Sequence, residues 1–152
     1  MMLRNIPILL VDDSEMDTER VKRAFEKAGI TNPLIVSING EEALSLLNEI
    51  NHKKEPSDQM PGLILLDLNM PIMDGFEFLE KLRADKNLRY LPVVVLTTST
   101  SPKEIMSAYE KNVAGYIIKP VRFSDFVEAM KEIENYWCRS TTPDEVNHTA
   151  YS

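Results

Sequence analysis

Five side chains in this chain have types and positions that suit them to one shared pocket: Asp12, Asp13, Asp67, Thr97 and Lys119. Each stands at the end of a short apolar run. Ile6-Pro7-Ile8-Leu9-Leu10-Val11 runs into Asp12-Asp13, and Leu63-Ile64-Leu65-Leu66 into Asp67. Val93-Val94-Val95-Leu96 ends on Thr97, and Gly115-Tyr116-Ile117-Ile118 on Lys119. If those ends meet, three carboxylates repel one another. Two like charges about 4 Å apart cost on the order of 4 kcal/mol at an effective dielectric near 20, and each raises the pKa of the next unless a cation intervenes. An all-oxygen donor set without histidine or cysteine favours Mg²⁺ or Mn²⁺ over Zn²⁺. Taken singly, the same residues have ordinary uses. Asp12-Asp13 would favour a helix N-terminus, Asp67 would bond its own turn, Thr97 would cap a turn and Lys119 would pair with any surface acid. Their chemistry depends on convergence.

The elements that must position them follow from the pattern of apolar residues. Runs of four apolar residues bounded by proline or glycine read as strands buried on both faces. Between the first two strands, Ser14 is an N-cap, Val21, Ala24, Phe25 and Ala28 mark one helical face, and Gly29 stops the helix. Leu34 to Ile38 forms the second strand, closed by Asn39-Gly40, and Ala43, Leu44, Leu47 and Ile50 face inward on the next helix. The polar stretch 51–62, with Pro56 and Pro61, reads as a surface loop. Phe76, Leu79 and Leu82 give a third helix, and Ser101-Pro102-Lys103-Glu104 is a capping box that starts the fourth. The fifth starts near Ser124, with Phe126, Met130, Ile133 and Trp137 on one stripe. Strand and helix alternate five times, which specifies an α/β fold: a five-stranded, doubly wound parallel sheet with helices on both faces. The carboxyl ends of such strands share one edge, where ligands collect.

Composition sets the outer bounds. A chain of 152 residues makes one domain, long enough to bury roughly two-thirds of its unfolded surface. Apolar content of 43% and charged content of 27% are those of a soluble globular protein. A net charge of −7 argues against nucleic acid or an anionic membrane as partner. No apolar run approaches the roughly 20 residues that span a bilayer, and the N-terminus does not have the form of a signal peptide. Cys138 is the lone cysteine, so no internal disulfide forms, which fits a reducing, cytoplasmic setting.

Together, Asp12-Asp13, Leu-Leu-Asp67-Leu-Asn-Met-Pro-Ile-Met-Asp-Gly, Val-Val-Val-Leu-Thr97 and Gly-Tyr116-Ile-Ile-Lys119-Pro120 resemble the receiver domain of two-component response regulators. The resemblance covers roughly residues 6 to 137. The polar loop before strand three and the Glu-Asn-Tyr-Trp helix end look like the stand-alone regulators that partner phytochromes. The resemblance implies a flavodoxin-like sheet of order 2-1-3-4-5, with Asp67 accepting a phosphoryl group from a sensor histidine kinase. It implies Mg²⁺ held by Asp13, Asp67 and the backbone carbonyl of Asn69, with Asp12 on a metal-bound water. Lys119 and Thr97 would each bond a phosphoryl oxygen, and a cis Lys119-Pro120 bond would aim the ammonium at the site. Thr97 moving toward the phosphate would let Tyr116 turn inward and alter the surface of helix four, strand five and helix five. A shift from about 1:99 to 99:1 takes about 5.5 kcal/mol, within reach of a dianion meeting fixed donors.

On this reading residues 1–138 form the receiver and 139–152 a flexible acidic tail with no output domain. Output is then binding rather than turnover. A haloacid-dehalogenase-type phosphatase would need a second acid two residues after its nucleophile, where this chain has Asn69. A flavodoxin-like cofactor binder would need a Ser/Thr/Gly phosphate loop where Asp12-Asp13-Ser14-Glu15 stands. The helix-five stripe admits two roles, a two-fold homodimer through helix four, strand five and helix five, or packing of Trp137 under the N-terminal segment around Leu3.

Overall fold

A computed structural model describes residues 6–53 and 60–137. Five parallel strands, β1 (Ile8–Val11), β2 (Leu34–Ser37), β3 (Leu63–Leu66), β4 (Val93–Thr97) and β5 (Gly115–Ile118), lie in the order β2-β1-β3-β4-β5. Helices α1 (Glu15–Ala28), α2 (Gly40–Lys53), α3 (Gly75–Ala84), α4 (Pro102–Glu110) and α5 (Phe123–Trp137) form the crossovers. The alternation of strand and helix gave the doubly wound parallel sheet, and the strand order is the one the resemblance implied.

Because side chains alternate across a strand, the central runs feed two cores. Leu9, Val11, Ile64, Leu66, Val93 and Val95 face Ala43 and Leu47 of α2, Phe78, Leu79 and Leu82 of α3 and Ala108 of α4. Ile8, Leu10, Leu63, Leu65, Val94 and Leu96 face Val21, Ala24 and Phe25 of α1 and Phe126, Val127, Met130 and Ile133 of α5. A continuous Leu/Ile/Val run is the only pattern that satisfies both sides. The register pairs Val11 with Leu66 and Leu66 with Val95. It pairs Thr97 with Ile118, so Asp12, Asp67 and Lys119 leave the sheet side by side.

Local signals place the helices against that edge. Ser14 caps α1 by accepting the Asp17 N–H at 3.2 Å, and Gly29 closes it at φ 74°. Asp74 caps α3, accepting the Glu77 N–H at 3.0 Å. Gly75 is required there by proximity: an added Cβ would stand 2.7 Å from both the Asp67 carbonyl oxygen and the Leu68 Cα. The start of α3 thus presses directly on the strand end that carries Asp67. At the opposite end of the domain Arg83 acts as a clamp. Its guanidinium donates to the carbonyls of Arg89, Leu91, Lys111 and Asn112 at 2.8–2.9 Å, tying α3 to the segment before β4 and to the residues just past α4.

Several expectations change. Helix α2 continues through Asn51-His52-Lys53 into the stretch read as loop, helped by the i,i+4 pair Lys53–Glu49 at 2.7 Å. The capping box of α4 is half formed. Ser101 accepts the Glu104 N–H at 3.3 Å, but the Glu104 carboxylate takes the Ser99 hydroxyl. No cis peptide occurs among the described residues, so Lys119-Pro120 is trans, and the Lys119 side chain reaches the strand-end acids from that geometry. The α5 stripe is consumed inside the molecule: Phe126, Met130 and Ile133 are buried, and half-buried Trp137 packs on the same core. Leu3 and the expected tail 139–152 lie outside the described residues.

Candidate functional site

The strand ends converge as the sequence implied. Carboxylate oxygens of Asp12, Asp13 and Asp67 lie within 4.8 Å of one another, with Asp12 and Asp67 buried and Asp13 exposed. The Lys119 ammonium, itself buried, is 3.1 Å from Asp12 Oδ2 and 4.0 Å from Asp67 Oδ2. Thr97, with no exposed surface, has its side chain next to the Asp67 carboxylate and favours its charged form. The backbone N–H of Ser14 donates to Asp12 Oδ1 at 2.9 Å, and the Asn69 N–H favours the charged form of Asp67. Asn69 is otherwise exposed on the loop that follows.

One member was missed by sequence reasoning. Asp17 Oδ2 lies 2.8 Å from Lys119 Nζ, closer than either strand-end acid. An acid in the first turn of a helix is ordinarily explained by the helix dipole, and that explanation concealed it. The available signal was position. Asp17 is the third helical residue after the Ser14 cap, and helical side chains lean toward the N-terminus, which here is the site edge. Ser99 was also passed over. Its N–H reaches Thr97 Oγ1 at 3.4 Å, its hydroxyl bonds Glu104, and its carbonyl accepts the Tyr116 hydroxyl at 3.0 Å. Tyr116 is half-buried, packed partly against the core on the side of α2, α3 and α4.

The electrostatics follow from three carboxylates, Asp17, Asp12 and Asp67, facing one ammonium. Burial pushes Asp12 above the usual carboxylate range, against the pull of the Ser14 N–H and Lys119. Burial likewise raises Asp67, opposed by Lys119 and reinforced by Asp12. For Lys119, burial works to release the proton. The Asp17 hydrogen bond and the charges of Asp12, Asp67 and Asp17 outweigh it, and the ammonium is held above its ordinary value. The acids are short of positive charge while the lysine has more than enough negative charge. A hard divalent cation would supply what is missing, and the clustered oxygens are donors of the kind it prefers.

A buried aspartate beside a lysine and a threonine, on the carboxyl edge of a five-stranded parallel sheet, is the arrangement that the resemblance to receiver domains implied. Residues 8–131 match the response regulator receiver domain family. The chain belongs to that family, whose members receive phosphoryl groups from sensor histidine kinases, and the dehalogenase-type phosphatase reading falls away.

The chain is 38% identical over 130 residues to a probable methanogenesis regulatory protein, FilR2, of Methanothrix harundinacea, covering 86% of this chain and 82% of that one. It is 34% identical over 135 residues to response regulator Rcp1 of Synechocystis sp., covering 89% and 90%. The Mn²⁺-bound form of Rcp1 superposes with a TM-score of 0.77 over 91% of this chain and 99% of that one. The phosphorylated cyanobacterial phytochrome response regulator RcpA does so at 0.81, with 32% identity over 92% and 99%. The chain is thus a receiver related to phytochrome-associated regulators.

Proposed function

We propose that Asp67 accepts a phosphoryl group from the phosphohistidine of a sensor histidine kinase and that the domain signals by a change of its binding surface. The observation that carries this is a buried aspartate with a lysine 4.0 Å away and a buried threonine side chain that favours its charged form. In the step, an Asp67 carboxylate oxygen bonds phosphorus while the P–N bond to the donor imidazole breaks. The imidazole leaves with the electron pair and takes up a proton. The protein's part is positioning and charge stabilisation. Lys119 bonds one phosphoryl oxygen and Thr97 another, and the Asn69 N–H holds the carboxylate in place. Asp13, Asp67 and the backbone carbonyl of Asn69 would hold Mg²⁺, with Asp12 on its water. When bound, the ion supplies neutralising charge to the phosphoryl oxygens.

Position 69 carries an amide and no general acid, which supports a signalling domain over a turnover phosphatase. Thr97, Ser99 and Tyr116 form a hydrogen-bonded chain to the first turn of α4 and serve as the switch. Similarity to Rcp1 and RcpA supports a phytochrome as the kinase, in the cytoplasm. Exposed Met106 and Tyr109 on α4, Ile118 on β5 and Phe123 on α5 supply the output face, where a two-fold homodimer would form. Residues 1–138 act as the receiver and 139–152 as an appended tail. Acetyl phosphate with Mg²⁺ adds one phosphoryl group, read by intact mass, and Asp67→Asn abolishes it. Full labelling of the Asn variant would overturn the assignment.

A further inference from the structure

Lys119 is not directed at Asp67. Its ammonium sits 2.8 Å from Asp17 Oδ2 and 3.1 Å from Asp12 Oδ2, and the 4.0 Å to Asp67 Oδ2 is beyond hydrogen-bond reach. The two acids that hold it differ in kind. Asp12 is fully enclosed, comes from the end of β1 and also accepts the Ser14 N–H. Asp17 comes from α1, leaves 37% of its side chain in solvent and has its backbone fixed by the Ser14 cap. It reaches into the pocket from outside the strand-end cluster, and the metal-ligand geometry does not include it.

We propose that Asp17 is a positioning residue that holds Lys119 short of Asp67 in the unphosphorylated protein, so that an incoming phosphoryl group must draw the lysine off Asp17. Phosphoryl occupancy of Asp67 is then set by a competition between one phosphoryl oxygen and one carboxylate for the same ammonium. The Lys119–Asp67 Oδ2 separation of 4.0 Å exceeds hydrogen-bond distance by roughly 1 Å, so the ammonium is spent on Asp17 and Asp12. The Asp17 contact belongs to the ground state, whereas the phosphoryl contact appears only as the group arrives. Weakening the former alone lowers the barrier to uptake and favours the phosphorylated form.

This inference rests on Asp67 being the acceptor, and the test separates the two. With acetyl phosphate, an Asp67 oxygen bonds phosphorus as the P–O bond to the acetyl group breaks, and acetate leaves with the electron pair. Initial uptake and steady-state occupancy are measured at saturating Mg²⁺ and subsaturating acetyl phosphate. The set comprises the wild type, Asp17→Asn, Asp17→Glu, Lys119→Met and the double variant Asp17→Asn/Lys119→Met. Asp17→Asn keeps an acceptor but removes the charge. It raises uptake and occupancy about three- to tenfold, the range of a half-exposed charge-assisted hydrogen bond. Asp17→Glu returns toward the wild type. Against Lys119→Met, the Asp17→Asn change has no further effect, because the residue it acts through is gone. A purely structural Asp17 gives the opposite sign, a lower melting temperature with slower uptake. Unchanged or slower uptake in Asp17→Asn, or the same gain without Lys119, overturns the inference while leaving Asp67 as acceptor. No uptake by the wild type overturns the acceptor assignment itself.

Discussion

Asp67→Asn stabilises the metal-free protein. Asp12 and Asp13 oxygens lie no more than 4.8 Å from Asp67, and Lys119 lies 4.0 Å away. At an effective dielectric near 20, each repulsion is worth about 3.5 kcal/mol and the attraction about 4 kcal/mol. Asp13 is exposed, so solvent screens most of its repulsion. The repulsion from Asp12 and the attraction to Lys119 nearly cancel, which leaves the burial of the charge itself. The amide retains an oxygen for Thr97 and the Asn69 N–H, so the net gain is roughly 1–2 kcal/mol, or about 3–6 °C in melting temperature for a domain of this size. The pH dependence has a definite sign. Asp12 and Asp67 have folded pKa values raised above the ordinary 3.8, so the folded state binds their protons more tightly. The stability they contribute is fully present below that value and is lost as pH rises through the raised values. Without metal, the wild type therefore weakens over that window, and Asp67→Asn weakens less. Saturating Mg²⁺ stabilises the wild type by mass action and closes the gap. Urea unfolding in EDTA at pH 4 and pH 7, followed by circular dichroism, measures all of this. An Asp67→Asn variant less stable than the wild type at pH 7 without metal would refute the electrostatic account.

Four further changes test the site and its supports. Asp13→Asn weakens Mn²⁺ binding more than Asp12→Asn, because a direct ligand matters more than one acting through water; titration calorimetry showing equal losses would remove Asp13 from the inner sphere. Gly75→Ala costs roughly 1–3 kcal/mol, since the new methyl must displace backbone at the Asp67 strand end, and it slows phosphoryl uptake; an unchanged denaturation midpoint contradicts it. Arg83→Lys loses most of four carbonyl bonds because an ammonium cannot reproduce the guanidinium fork, and costs about 2–3 kcal/mol in urea unfolding. Ile118→Asp on the exposed α4/β5/α5 face abolishes any phosphorylation-dependent dimer in sedimentation; a dimer that survives it lies elsewhere.

The strand ends were legible because each buried run is terminated abruptly by a polar side chain, and parallel topology brings such ends together without further information. Helix starts were legible through Ser14 and Ser101, whose short hydroxyls report the local backbone directly. Asp17 was not legible, because its role depends on which way α1 crosses the sheet, and an acid in a first turn already has a sufficient local reason. The Phe126–Trp137 stripe looks too long for one sheet face only when the sheet alone is considered. Helix α1 packs beside α5 on the same face and covers the excess. Glu104 met the spacing of a capping box, yet Ser99, five residues before it, offered the better donor. The trans Lys119–Pro120 bond could not be anticipated from the dipeptide, since either isomer suits a loop and the surrounding packing selects one.

The Arg83 clamp makes α4 a lever with one fixed end. Lys111 and Asn112, where α4 ends, hang from a guanidinium that also grips the exit of α3, while the other end hangs from Ser99 and Ser101. Nine residues make an arm of about 13 Å, so a displacement of about 1 Å at the Ser101 end tilts the helix by about 4° about its pinned terminus. Displacement along such an arm grows with distance from the pivot. Met106 therefore travels farther than Tyr109, and a partner that reads the two states most sharply grips the half of α4 nearest the carboxylates.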